Sequence, residues 1–179
     1  ALKTNLWQTS TAKRLGFEAC GDLRLGICNG ESVAETADIG LERFIVSSEA
    51  RKSPAAVIPR GQIIYGALPV MTLEKCAIRE ICGAKLPPIS ACRYCDTHRF
   101  SYLCDRLGVK FPMAREYKHR NVIFNSVPVY MGDKKSGMDC EFYHYIFTNE
   151  SCAEIDRIIG ITEKGKNYGG KFCRLSSPK

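Results

Sequence analysis

The chain has 179 residues, enough for one domain with a substantial core, and 45% apolar against 25% charged residues is an ordinary globular balance. Its 26 Lys and Arg outweigh 19 Asp and Glu for a formal charge of +7, which permits an anionic partner without requiring one. No apolar run reaches the roughly 18 residues of a membrane span. The first residues, ALKTNLWQTSTAKR, also lack the apolar stretch of a secretory signal, so a cytoplasmic protein with no membrane contact is expected.

Residues 5–16, with Leu6, Trp7 and Leu15 as apolar members, predict a helix. Leu23–Cys28 reads as a buried strand and Asn29–Gly30 as a turn. Ser32 then caps a helix over Val33–Ile39 that stops at Gly40. Leu41–Ser47 is the next strand, so 23–47 reads strand, helix, strand, the pattern of parallel strands. Pro54 and Pro59 leave room only for a stunted helix over 51–60, and Gln62–Ala67 is a third strand. Between Met71 and Cys95 the chain reads as irregular, with Pro87–Pro88 in its middle. A stretch that long without periodicity is functional or held by something.

Phe100–Cys104 and Val109–Met113 flank Asp105-Arg106-Leu107-Gly108, a β-hairpin with Gly108 in the left-handed region. Asn121–Tyr130 reads as extended and Glu141–Phe147 as a strand. Ser151 caps a helix to about Ile159, and Glu154 completes a capping box. Gly165–Lys179 reads as a loose end. Repeated strand–helix units predict an α/β fold. A closed (β/α)8 barrel needs about 250 residues, so the choice lies between an open sheet and half a barrel.

Ten cysteines is a high count, and four cluster as C-x5-C-x9-C-x2-C: Cys76, Cys82, Cys92 and Cys95. Thiolates are soft, anionic ligands for zinc or iron–sulfur clusters. Four of them satisfy a tetrahedral zinc or the irons of a cubane. Cys92 and Cys95 form a tight knuckle, while Cys76 and Cys82 are spaced more widely than is usual for zinc. Free core thiols and a disulfide are the alternatives. Lys75, Arg79 and Arg93 would offset thiolate charge. Cys20, Cys28, Cys140, Cys152 and Cys173 have no paired spacing and read as isolated thiols. Cys104, in the hairpin, is a substitute ligand.

Arg93, Arg99, Arg106, Lys110, Arg115, Lys118 and Arg120 crowd into 28 residues, interleaved with Tyr94, Phe100, Tyr102 and Tyr117. Basic and aromatic side chains together suit RNA. The same pattern also suits the solvated face of a hairpin. His98, His119 and His144 are the ordinary general bases, and His98 lies three residues from Cys95, a spacing that admits a Cys/His nucleophile. No HExxH or GxSxG motif is present.

Several stretches together resemble the U32 peptidase (collagenase-like) family. Tyr65, Gly66, Leu68, Pro69 and Met71 match its strand-end motif, which a cysteine follows. Asp105, Arg106, Gly108, Phe111 and Pro112 match its hairpin, and Asn125, Ser126, Pro128 and Tyr130 its "NSxPLY" segment. Asn29, Ser32, Ser47 and Glu49 look like its upstream strand ends, and Thr148 and Glu150 like its "FTxE" end. The likeness runs in order through most of 20–160. The chain departs from it in having Tyr65 where better-known members have histidine. Arg115 stands nearest the position where many members have a cysteine after the hairpin.

The resemblance implies the C-terminal half of a (β/α)8 TIM-like barrel. Residues 1–71 would be βα units, 72–120 a cysteine-rich loop and hairpin insertion, 121–160 a closing unit and 161–179 a tail. A second copy or a missing N-terminal half would complete it. It implies a peptidase acting on a peptide or protein, with a [4Fe–4S] cluster (alternatively zinc) on Cys76, Cys82, Cys92 and Cys95. Glu49 and Glu150, at strand C-termini, become pocket candidates for catalysis. Arg99, Arg106, Lys110 and Asn125 become candidates for binding substrate or nucleic acid. Some proteins resembling this family support oxygen-independent hydroxylation of quinone precursors or RNA bases. A non-catalytic, cluster-stabilised binding module is the third expectation.

Overall fold

The computed structural model describes residues 2–3, 5–50, 53–117 and 119–173. The chain falls into two compact units, one of Ala1–Gly66, Val129–Phe147 and Ser151–Lys179, the other of Ala67–Pro128 and Thr148–Glu150.

The first unit opens with β1 (Leu2–Lys3), α1 (Trp7–Arg14), β2 (Cys20–Gly21), α2 (Gly30–Ile39), β3 (Arg43–Ile45) and β4 (Arg60–Gly66). The second contributes β5 (Pro69–Leu73), α3 (Ala77–Cys82), α4 (Tyr94–Thr97), β6 (Phe100–Cys104), β7 (Lys110–Arg115) and β8 (Asn121–Phe124). The chain then returns with β9 (Val129–Tyr130), β10 (Phe142–Ile146) and α5 (Cys152–Glu163).

Local chemistry sets the ends of α2. The Asn29 side chain accepts the Ser32 N–H at 2.8 Å, and the Ser32 hydroxyl accepts the Asn29 N–H at 3.3 Å, so the helix starts at Gly30. Asn29 is therefore the cap and Ser32 its reciprocal partner, one turn ahead of the sequence expectation. Gly40 ends the helix at φ +106°.

The expected strand over Leu23–Cys28 is absent. The Asp22 carboxylate accepts the Leu23 N–H at 2.8 Å and starts a 3-10 turn over Leu23–Leu25, closed by Gly26 at φ +68°. Ile27 is still buried, so its apolar neighbours report burial rather than strand. No helix forms over the described residues 53–60.

β1, β2, β3, β4 and β10 form a parallel sheet in that order, and β9 adds antiparallel at Tyr65 and Gly66 of β4. Ala12, Ala19, Ile27, Val33, Leu41, Phe44, Val46 and Ala50 make one buried cluster. Burying a phenylalanine such as Phe44 contributes about 2–3 kcal/mol. α1 turns Thr9 and Ala12 inward and leaves Leu6, Trp7 and Leu15 exposed.

Two strand glycines mark close approaches. A Cβ on Gly61 would strike the Phe142 ring, and one on Gly66 would meet Ile146. α5 carries the expected box between Ser151 and Glu154 and runs on to Glu163. The tail is not loose as far as Cys173: Tyr168 and Phe172 pack on the buried Tyr130 ring. The rest of the tail, from 174, lies outside the described residues.

In the second unit the antiparallel order is β5-β8-β7-β6. The hairpin forms as expected: Asp105 accepts the Leu107 and Val109 N–H groups at 2.8 and 2.9 Å, with Gly108 at φ +77°. The stretch expected to be irregular holds β5, α3, α4 and two 3-10 turns, at Gly83–Lys85 and Ile89–Ala91. The molecule is thus mixed α/β, and its described strands close no barrel. No helix among the described residues is long and apolar enough to cross a membrane.

Candidate metal centre

The second unit has a small core of Ile78, Met113 and Ile123. Cys76, Cys82 and Cys95 are packed against it, half-buried. A pocket beside it is lined by Cys76, Cys92 and Cys95, together with Tyr94, Arg115, His119 and Asn121. All four clustered cysteines therefore lie on or beside one patch of core, and three share one pocket.

Each element delivers its side chain for a physical reason. Cys76 precedes α3, and its own carbonyl accepts the Arg79 and Glu80 N–H groups. The next amide, Ala77 N–H, is held at 2.8 Å by the side chain of Asn121, which is 1% exposed. Arg79 donates to the Pro87 carbonyl at 2.7 Å and pins the proline loop to α3. Cys92 and Cys95 flank the start of the short α4. That helix is clamped to β7 by an Arg115–Asp96 ion pair of 2.6 Å. His119 sits in the turn between β7 and β8. There Glu116 N–H donates to the Arg120 carbonyl, and Arg120 pairs with Glu74 at 2.8 Å.

Burial pushes the Cys95 thiol above its usual range. Cys76, Cys92 and Asp96 add to this, while Arg115 opposes it. The sulfurs are thus close enough to feel one another's charge. Among the described residues, however, no group of three or more His, Cys, Asp or Glu side chains is gathered so as to hold a metal ion. The donors suit a soft metal in kind, and the thiols face one pocket without forming a cage.

Other expected site residues take separate places. Cys104 is exposed at the end of β6. Arg99, Arg106 and Lys110 are exposed along the hairpin, Arg99 lying over the Phe100 ring at 5.7 Å. The Asn125 side chain accepts its neighbour Ser126's N–H at 2.9 Å, and its own N–H donates to the Leu68 carbonyl. Glu150 is half-buried and accepts the Thr148 and Asn149 N–H groups at 2.6 and 3.1 Å, which closes its own turn. Glu49 is exposed after β3, in the other unit. His98 is exposed and stacks on Tyr94 at 4.3 Å. His144 is in β10 of the first unit, its imidazole held below the usual range by burial, with Asp22 opposing.

Compared with protein-family models, curated proteins and solved structures, the chain gives no match. The functional reading therefore rests on the residues themselves. Arg115, His119 and Asn121 are pocket residues that spacing alone did not single out. Of these, the sequence marks Arg115 as one of the basic run and as standing where the resembling family has a cysteine, and His119 as a candidate general base; Asn121 carries no signal.

Proposed function

We propose that the second unit is a soft-metal centre, built on Cys76, Cys92 and Cys95, within a U32-like protein. The observation that carries this is the convergence of three thiols from two separate chain segments on one pocket. Bound there, a zinc ion or an iron–sulfur cluster would tie the loop before α3 to α4, and thiolates are the donors both prefer. The U32-like barrel half draws support from the parallel sheet, whose order β1-β2-β3-β4-β10 follows the chain without reversal, as in a barrel. The tight packing of Gly66 and Tyr130, both in the motifs that carry the resemblance, also supports it.

Peptidase activity is the reading the resemblance supplies. Oxygen-independent hydroxylation is the second reading, and the thiol pocket favours it, because peptide hydrolysis needs no electron carrier. The experiment is an ultraviolet–visible spectrum with iron and zinc analysis on chain purified without oxygen, alongside gelatin cleavage before and after chelation. Bound metal lost in Cys95→Ser supports the centre. Metal-free protein after reconstitution with zinc and with iron and sulfide refutes it. Cleavage that survives chelation supports the peptidase, and no cleavage by metal-loaded protein counts against it.

A further inference from the structure

We infer that the free edge of β6 is a docking site for an acidic, extended peptide, which pairs with it as a further strand of the second unit's sheet. In the order β5-β8-β7-β6, β6 is an outer strand, and among the described residues no strand pairs with its far side. None of Phe100–Cys104 lines the thiol pocket, so this surface stands apart from the metal reading.

The hairpin register sets which backbone groups face outward. Tyr102 stands opposite Pro112. Proline has no N–H, so these two residues cannot exchange the two bonds of a closely bonded antiparallel pair. The bonds to β7 therefore fall to Ser101 and Leu103, opposite Met113 and Phe111. The same alternation runs from the turn, where Asp105 N–H donates to the Val109 carbonyl at 3.0 Å. The N–H and C=O groups of Phe100, Tyr102 and Cys104 thus point to the open edge.

Edges of this kind are normally guarded by charge, proline or a covering element. β6 reads FSYLC and has no charge of its own. Its side chains are uncovered on both faces: Tyr102 is 54% exposed on one and Leu103 40% exposed on the other. A strand laid alongside gains an apolar contact on each face.

Charge selects the partner. Arg99, Arg106 and Lys110 surround the edge, all are exposed, and none forms an ion pair with a described residue. The second unit has ten Lys and Arg against six Asp and Glu, and so carries +4 of the formal +7. A second copy would bring the same charge to the edge, whereas a peptide rich in Asp or Glu neutralises it. RNA is also anionic but offers no amide ladder to the edge. Backbone pairing gives such a complex its affinity, and the flanking charges give it its preference.

The test titrates the full chain with a labelled, end-blocked peptide of alternating Glu and Val, read by fluorescence anisotropy. Wild type should bind it saturably and should not bind the matching peptide of Lys and Val. Methylating the peptide's backbone nitrogens keeps its charge and removes its donors. That peptide should bind about tenfold more weakly or worse, since each backbone bond lost is worth roughly two- to tenfold. Arg99→Glu, Arg106→Glu and Lys110→Glu together should weaken the acidic peptide by a similar factor. Tyr102→Pro, which removes an outward N–H and no bond to β7, should weaken it too.

Equal binding of the methylated peptide overturns the inference, because charge alone would then account for the attraction. Tighter binding of an oligouridylate of matching charge also overturns it and makes the hairpin an RNA contact. A chain that dimerises without peptide, and becomes monomeric on Tyr102→Pro, assigns the edge to a second copy instead. Absence of saturable binding at low salt ends the proposal. If Tyr102→Pro unfolds by circular dichroism, the methylated peptide on wild type decides.

Discussion

Asn121→Ala tests how the pocket is held together. Asn121 is 1% exposed, and its carbonyl oxygen accepts the Ala77 N–H at 2.8 Å, fixing the first turn of α3 directly after Cys76. Truncation removes a hydrogen bond with a net value of about 1 kcal/mol and leaves a half-buried donor unpaired, which costs about 1–3 kcal/mol more in a fully buried site. About 2 kcal/mol is a fair sum for a donor that retains some solvent. Because each 1.4 kcal/mol is tenfold, the open population of α3 should rise roughly 30-fold. Hydrogen–deuterium exchange resolved to residues 77–82 reads this directly: those amides should exchange faster by about that factor. Amides of α2, in the other unit, should be unchanged. Equal protection at 77–82 in mutant and wild type would show that α3 is held by the Ile78 contacts alone, and the positioning role of Asn121 would be wrong.

Two further outcomes follow from the first unit. Burial holds the His144 imidazole below its usual range, so the unfolded chain takes up a proton near pH 6.5 that the folded chain resists. The stability this residue supports is complete above about pH 6.5 and declines as pH falls toward the lowered folded value. His144→Phe should therefore flatten the urea-midpoint profile between about pH 5 and 7, and an unchanged slope would exclude His144 as its source. Gly61→Ala sets a methyl against the Phe142 ring across the β4–β10 pair and should cost about 1–3 kcal/mol in urea unfolding. A loss under about 0.5 kcal/mol would mean that the ring swings aside freely.

Some of this protein was written in its sequence because the responsible interactions span only a few residues. Asp105 and Gly108 make the hairpin turn within four positions, and Ser151 and Glu154 close the α5 cap within three. Gly40 stops α2 because a left-handed residue ends a helix whatever surrounds it.

Of the rest, one stretch was decided by a local competition and the remainder by tertiary structure. Leu23–Cys28 had the composition of a strand, yet a carboxylate one residue upstream and Gly26 turned it into a 3-10 bend. The long stretch before the hairpin held short helices because distant partners support them: Asn121 reaches Ala77 across 44 positions, and Arg115 reaches Asp96 across 19. Which sulfurs share a pocket, and that His119 joins them while Cys82 does not, depends on how α3 and α4 dock against β7 and β8. Spacing along the chain sets which residues are near in sequence. Packing around Ile78, Met113 and Ile123 sets which are near in space, because only burial of that cluster brings the separate segments to one place.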